Sequence, residues 1–135
     1  MTSIAQIRAG IMQNVATISG LRTTDLLPES PNPPVAILNL SDIDYDNAFS
    51  KGLTIYNFDL TVLVGRSDAR GSQAKLDEYV ASDGVGSIKY AVESNRTLNG
   101  LIYDLKVTQL RSIGSLTVND TTYLAADFSI VCYAS

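Results

Sequence analysis

Apolar residues recur along this chain with two different periods, and the switches between them mark its elements. Ile4, Ile7, Ile11, Val15 and Ile18 stand three and four apart, which places them on one face of an amphipathic helix over residues 3–18. Ser3 suits its N-cap, and Gly20 lies just past its expected end. Arg8 is the only charge in this stretch, so the helix is expected to pack on the protein's own sheet and not on a membrane surface.

The period then falls to two. Val35–Leu40 is apolar on both sides of the pleat, as in a central strand. In residues 54–64, Tyr56, Phe58, Leu60, Val62 and Val64 share the core face, and Ile55, Asn57, Asp59, Thr61 and Leu63 the other. Gly65 is expected to end this strand. A helix capped by Ser67 or Asp68 and running to about Val80 buries Leu76, Tyr79 and Val80. Asp83-Gly84-Val85-Gly86 breaks it, and Ser87 caps a second short helix that buries Ile88, Ala91 and Val92. The turn Thr97-Leu98-Asn99-Gly100 leads into a strand over Leu101–Ser112 with Leu101, Tyr103, Leu105 and Val107 inward. A connection from near Gly114 to Asn119-Asp120 returns the chain to a last strand, Tyr123–Tyr133. Its core face holds Leu124, Ala126, Phe128, Ile130 and Cys132.

The reading is therefore α+β: a mainly antiparallel four- to five-stranded sheet with an N-terminal helix and two short helices packed on one face. At 135 residues the chain is expected to form one domain, 1–135, able to bury a core without metal or disulfide.

Charge and cysteine narrow the picture. Only 18% of residues are charged and 45% are hydrophobic, a balance that fits either shared subunit surfaces or a Ser/Thr/Asn-rich soluble monomer. The single cysteine, Cys132, has no intramolecular partner and reads as a small buried hydrophobe. No apolar run approaches the ~18 residues of a membrane span. No basic region followed by an apolar block opens the chain, so a cytoplasmic product is expected and the sequons at Asn95 and Asn119 are chance matches. The net charge of −4 is uneven: residues 23–50 carry Asp25, Glu29, Asp42, Asp44 and Asp46 with no Lys or Arg. Without a basic stripe, tight nucleic-acid binding is disfavoured. The acidic segment suits a basic partner, a passage through which DNA slides without sticking, or a solvated loop. All four prolines, Pro28, Pro31, Pro33 and Pro34, fall in that segment and make an extended, stiff loop.

The candidate reactive motifs are incomplete. Asp42-Ile43-Asp44-Tyr45-Asp46-Asn47 opens like a calcium loop, but Asn47 and Leu53 stand where that loop needs glycine and glutamate. Gly65–Ser72 has the composition of a phosphate loop without its Gly-Lys-Ser/Thr ending, and reads as a strand-to-helix turn. Asp77 and Glu78 are adjacent on a helix and point apart. The chain has no histidine, so the usual base of a hydrolytic triad and the commonest metal ligand are missing. There is no Gly-x-Ser-x-Gly elbow. No catalytic residue, metal or cofactor is expected; the chain reads as a building block and not an enzyme.

Several segments in order carry a resemblance. They are the N-terminal amphipathic helix, PNPPVAIL, DYDNAF before a strand ending VLVG, SQAKLDEYVASDGVGSIKYAVE, TLNGLIYDLKV and TYLAADFSIVCY. Together they cover nearly the whole chain, which resembles the tail-terminator family of tailed bacteriophages. The resemblance implies an α+β subunit of a hexameric ring that caps the tail tube, ends its polymerisation and offers a docking surface to the filled head. It also implies a place in the virion at the tail–neck junction, after synthesis in the host cytoplasm. The implied partners are further copies of the chain, the tube protein and a head-side stopper or connector. DNA would pass through the lumen without sequence-specific binding, and no membrane would be involved.

Ring subunits often extend their sheets across an exposed strand edge. The last strand, with Tyr123, Val131 and Tyr133 opposite its core set, is therefore an expected interface, with an ordinary central strand as the alternative. Arg66 and Arg70 near a strand end, and Pro31, Pro33 and Pro34 in the proline-rich loop, are further contact candidates. Asp42, Asp44 and Asp46 are candidates for an acidic lumen lining. The alternatives are a stopper, adaptor or other neck ring, a tube subunit, which needs a long hairpin arm that the pattern does not show, and a small non-viral binding domain or enzyme.

Overall fold

The computed structural model describes residues 3–24, 33–45, 53–66 and 70–134. Ser3 opens helix α1 (Ile4–Val15) with a full capping box: its hydroxyl accepts from the Gln6 N–H, and the Gln6 side chain accepts from the Ser3 N–H. Ile7, Ile11 and Val15 are fully buried along one face. The helix is shorter than its periodicity predicts, ending at the cap residue Ala16. Ile18 and Leu21 continue the burial from the turn that follows.

Five strands, β1 (Arg22–Thr24), β2 (Val35–Asp44), β3 (Thr54–Arg66), β4 (Asp104–Val118) and β5 (Thr121–Ala134), form one sheet in the order β1-β2-β3-β5-β4. The pairs β2–β3, β3–β5 and β4–β5 are antiparallel, and the short β1 runs parallel to β2. The α+β architecture expected from the sequence is present, with a mixed sheet. Helices α2 (Ser72–Val80) and α3 (Ile88–Val92) join α1 over one face, and a short 3-10 turn, Glu93–Asn95, extends α3. Between helices and sheet lies the main core, in which Phe58, Leu60, Val62, Phe128 and Ile130 meet Ile7, Ile11, Leu76, Tyr79 and Ile88.

Irregularities in the strands decide which residues face that core. A bulge between Leu40 and Asp42 resets the alternation, so Leu40 and Ile43 both pack on the core while Asp42 and Asp44 turn to the other face. Two further bulges, between Val107 and Gln109 and between Leu110 and Ser112, carry β4 past the break expected at Gly114. The strand runs to Val118, and Asn119 and Asp120, at φ 47° and 67°, make the two-residue turn that right-twisted hairpins favour. Tyr103, expected inward, precedes β4 and is 59% exposed, while its N–H donates to the Tyr133 carbonyl.

Close approaches explain two glycines. A Cβ on Gly10 would stand 2.9 Å from Leu98 Cδ1, so glycine lets α1 seat on that buried side chain. A Cβ on Gly65 would stand 2.7 Å from Ser72 Oγ, where that hydroxyl donates to the Arg66 carbonyl and pins the start of α2. The helix begins later than predicted, with Gly71 at its N-cap position and no side-chain cap; Ser67 and Asp68 lie outside the described residues.

Tyr79 is fully buried, and its hydroxyl has no hydrogen-bond partner among the described residues. An unsatisfied buried hydroxyl costs about 1–3 kcal/mol. Tyr79→Phe is therefore expected to raise stability by about 1 kcal/mol, read as a shift of the urea midpoint. A comparable loss would mean that the hydroxyl is bonded.

Candidate functional site

Among the described residues, no group of three or more His, Cys, Asp or Glu is placed to hold a metal ion. Cys132 is buried, and that burial, with the Asp104 charge, pushes its thiol up to about 12, so it stays a protonated core side chain. Asp77 accepts from Gln73 and Glu78 lies 3.6 Å from Lys75, each pair on the exposed side of α2. A groove of about 470 Å³ between α1 and the 95–101 turn is lined by uncharged residues including Gln6, Gln13, Asn95 and Asn99.

The sheet face opposite the helices is more informative. Strand register lines up Asp42, Asn57, Val131 and Lys106 in one row, and Ile37, Thr61, Asp127 and Ser112 in another. Arg111 reaches across to Asp59 at 2.6 Å, and Thr61 donates to Asp127 at 2.6 Å. Asn57 donates to Asp42. Asp42 and Asp127 are thus held by neutral donors, and their negative charge stays uncompensated by these bonds. A shallow groove of about 310 Å³ runs along this face past Asp42, Asp59 and Arg111. Towards the other end the face turns apolar: Val35, Ile37, Leu63 and Tyr123 form a second buried cluster, flanked by Leu116, Val118 and Ala125.

The predicted interface residues distribute unevenly over this frame. β5 lies between β3 and β4, so both its backbone edges are used and the strand-edge interface expected there is corrected to a central strand. The cause is β4, which pairs with β5 from Asp104↔Tyr133 to Val118↔Thr121. Tyr123, expected on the solvent side, is 7% exposed within the second cluster. Val131 and Tyr133 do lie on the open face, half-buried. Arg66, at the end of β3, and Arg70, just before α2, are exposed. Pro33 and Pro34 are half-buried where the chain enters β2, and the Pro34 carbonyl accepts from the Arg22 N–H. Asp42 and Asp44 are exposed on the open face. Pro31 and Asp46 lie outside the described residues.

Sequence reasoning placed Asp59 on this face but named neither Arg111 nor Asp127 as a member of it. Their alternation with apolar neighbours was visible, but the bulges that bring Arg111 to Asp59 leave no mark in the residue pattern. It also missed Glu93, which fastens the helix layer to the sheet. The Glu93 carboxylate accepts from Lys89 Nζ at 2.7 Å and from the Val107 N–H at 2.9 Å. Burial alone would raise this carboxyl, but those hydrogen bonds and the Lys89 and Arg96 charges hold it below the usual carboxylate range. A depressed folded pKa adds stability that is present above the unfolded value of about 4.3 and is lost as pH falls through the folded one. The urea midpoint of Glu93→Gln should therefore lie below that of the parent at neutral pH, and the gap should close in acid. A gap independent of pH would show that ionised Glu93 contributes nothing.

Comparison with known proteins supplies no family for this fold: no protein-family model matches the chain, and no curated protein sequence matches it.

Proposed function

We propose that this chain is a structural ring subunit of a phage tail, the terminator that caps the tail tube. The observation that carries the reading is the sheet face opposite the helices. It presents Asp42, Asp44 and Asp127 outward, among the bases Lys106 and Arg111 of the same face. Those three carboxylates, turned to a central channel, repel phosphate where they stand and disfavour adhesion of DNA. The ordered resemblance to tail terminators supplies the assembly context. In this reading the ring stops tube growth, its partners are the tube protein on one side and a head-side connector on the other, and it performs no catalysis.

A second reading has a specific observation in its favour. β4 and β5, of 15 and 14 residues, are joined by a two-residue turn into a long hairpin, the kind of element tube subunits usually stack through, here paired along β3. Deleting the gene and imaging the lysate by electron microscopy separates the two. Overlong tubes beside separate filled heads are expected for a terminator, and absence of tubes would assign the chain to the tube itself. Normal tails beside emptied heads would move it to a stopper position, and intact infectious particles would overturn every one of these readings.

A further inference from the structure

β4 is the long edge strand of the sheet, and its two halves are built differently. Its first half carries the devices that natural edges use against pairing: two bulges, the charges of Lys106 and Arg111, and the Glu93 carboxylate on the Val107 N–H. These devices stop at Ser112. From Ser112↔Asp127 to Val118↔Thr121 the register with β5 is unbroken. Among the described residues, no backbone hydrogen bond outside that ladder involves this stretch. Ser112, Gly114, Ser115 and Thr117 are exposed, and Ile113 is 57% exposed. The segment Ser-Ile-Gly-Ser-Leu-Thr-Val has neither charge nor proline. A window of this composition on an open edge is built to accept another strand.

We propose that the Ser112–Val118 edge pairs with the same edge of a second copy, antiparallel about a twofold axis at Ser115. Charge placement selects this occupant. The neutral stretch is bounded by Arg111 at one end and the exposed Asp120 at the other. Antiparallel self-pairing brings the Arg111 end of each copy over the Asp120 end of its partner, whereas parallel pairing would set like charges together. In this register Ile113 faces Thr117 and Gly114 faces Leu116, so no charge is buried against an apolar side chain. The contact goes beyond the ring reading, because a twofold contact joins two chains and does not close a ring.

Sedimentation velocity of the full chain over a range of concentrations tests the pairing, with Ser115→Lys, Ser115→Glu and a one-to-one mixture of the two. Ser115 is exposed, so both variants should keep the parent's melting temperature at concentrations where the parent is monomeric. The parent is expected to dimerise, each variant alone to associate at least about tenfold more weakly, and the mixture to recover the dimer. A parent that stays monomeric throughout would overturn the proposal. So would self-association that the two substitutions leave unchanged.

Discussion

Asn14→Asp is expected to cost about 3–5 kcal/mol at neutral pH, more than Asn14→Ala at about 2–3 kcal/mol. Asn14 is 7% exposed, and its amide donates to the Val92 carbonyl at 3.0 Å and the Asn95 carbonyl at 3.1 Å. Those carbonyls end α3 and the 3-10 turn, where acceptors lack helical partners, and the Asn95 carbonyl also accepts from the Leu98 N–H at 3.3 Å. One side chain of α1 therefore satisfies two acceptors of an element 78 and more residues away. Alanine removes both donors and leaves the acceptors buried. An ionised carboxylate is worse, because it has no proton to donate and faces two carbonyl oxygens. Its folded pKa must rise, so the penalty grows as pH rises through the unfolded value and shrinks in acid, where the protonated acid can donate once. Urea unfolding of the parent and both variants at neutral and acidic pH measures this. Equal stability of Asn14→Asp and the parent would contradict it.

Leu60→Ala is the second large effect expected, at about 3–5 kcal/mol. Leu60 is 0% exposed, and it pairs with Leu38 of β2 and Phe128 of β5 at the centre of the sheet under the helices. Close packing on every side limits relaxation, so the vacated volume remains as a cavity. Against a total stability of about 5–15 kcal/mol for a domain of this kind, that loss leaves little margin. Val131→Ala, half-buried on the open face, should cost less than about 1 kcal/mol. An assembly defect in Val131→Ala would then report on the surface and not on folding. Thermal melts of the two variants test the contrast, and equal losses would contradict the assignment of the core to the helix side.

The core was legible because its residues obey strict periods. Tyr56, Phe58, Leu60 and Val62 at spacing two, and Ile7, Ile11 and Val15 at spacing four, land where the periods place them. Ser3 and Ser87 cap the helices they were assigned, through hydrogen bonds to the Gln6 and Tyr90 N–H groups. What failed was what interrupts a period. Gly114 reads as a strand break, but a glycine on an edge strand meets nothing within 4 Å and the ladder passes through it. β4 pairs along β5 and makes it central, and the extension sets Leu116 opposite Tyr123, which is buried there. Strand neighbours are set by pairing between distant segments, and a local pattern carries no trace of that pairing.

The open face follows the same logic. Asp42 and Asp44 were recognised as an acidic group, but their direction depends on the bulge at Ser41, which seats Ile43 in the core. Asp59 and Asp127 sit on interior strands and reach the same face by ordinary alternation. An uncovered sheet face with carboxylates held by Asn57, Thr61 and Arg111 is rigid, and Asp42 and Asp127, whose partners in it are neutral donors, are the parts of it that would repel phosphate.

The central claim, that this chain caps a tail tube, is tested most directly by adding the purified protein to tail tubes isolated from a lysate that lacks it. Electron microscopy should find the protein as rings at one end of each tube, and further addition of tube protein should then fail to lengthen that end. Tubes that keep growing from both ends, or that bind the protein along their sides and not at an end, would contradict it.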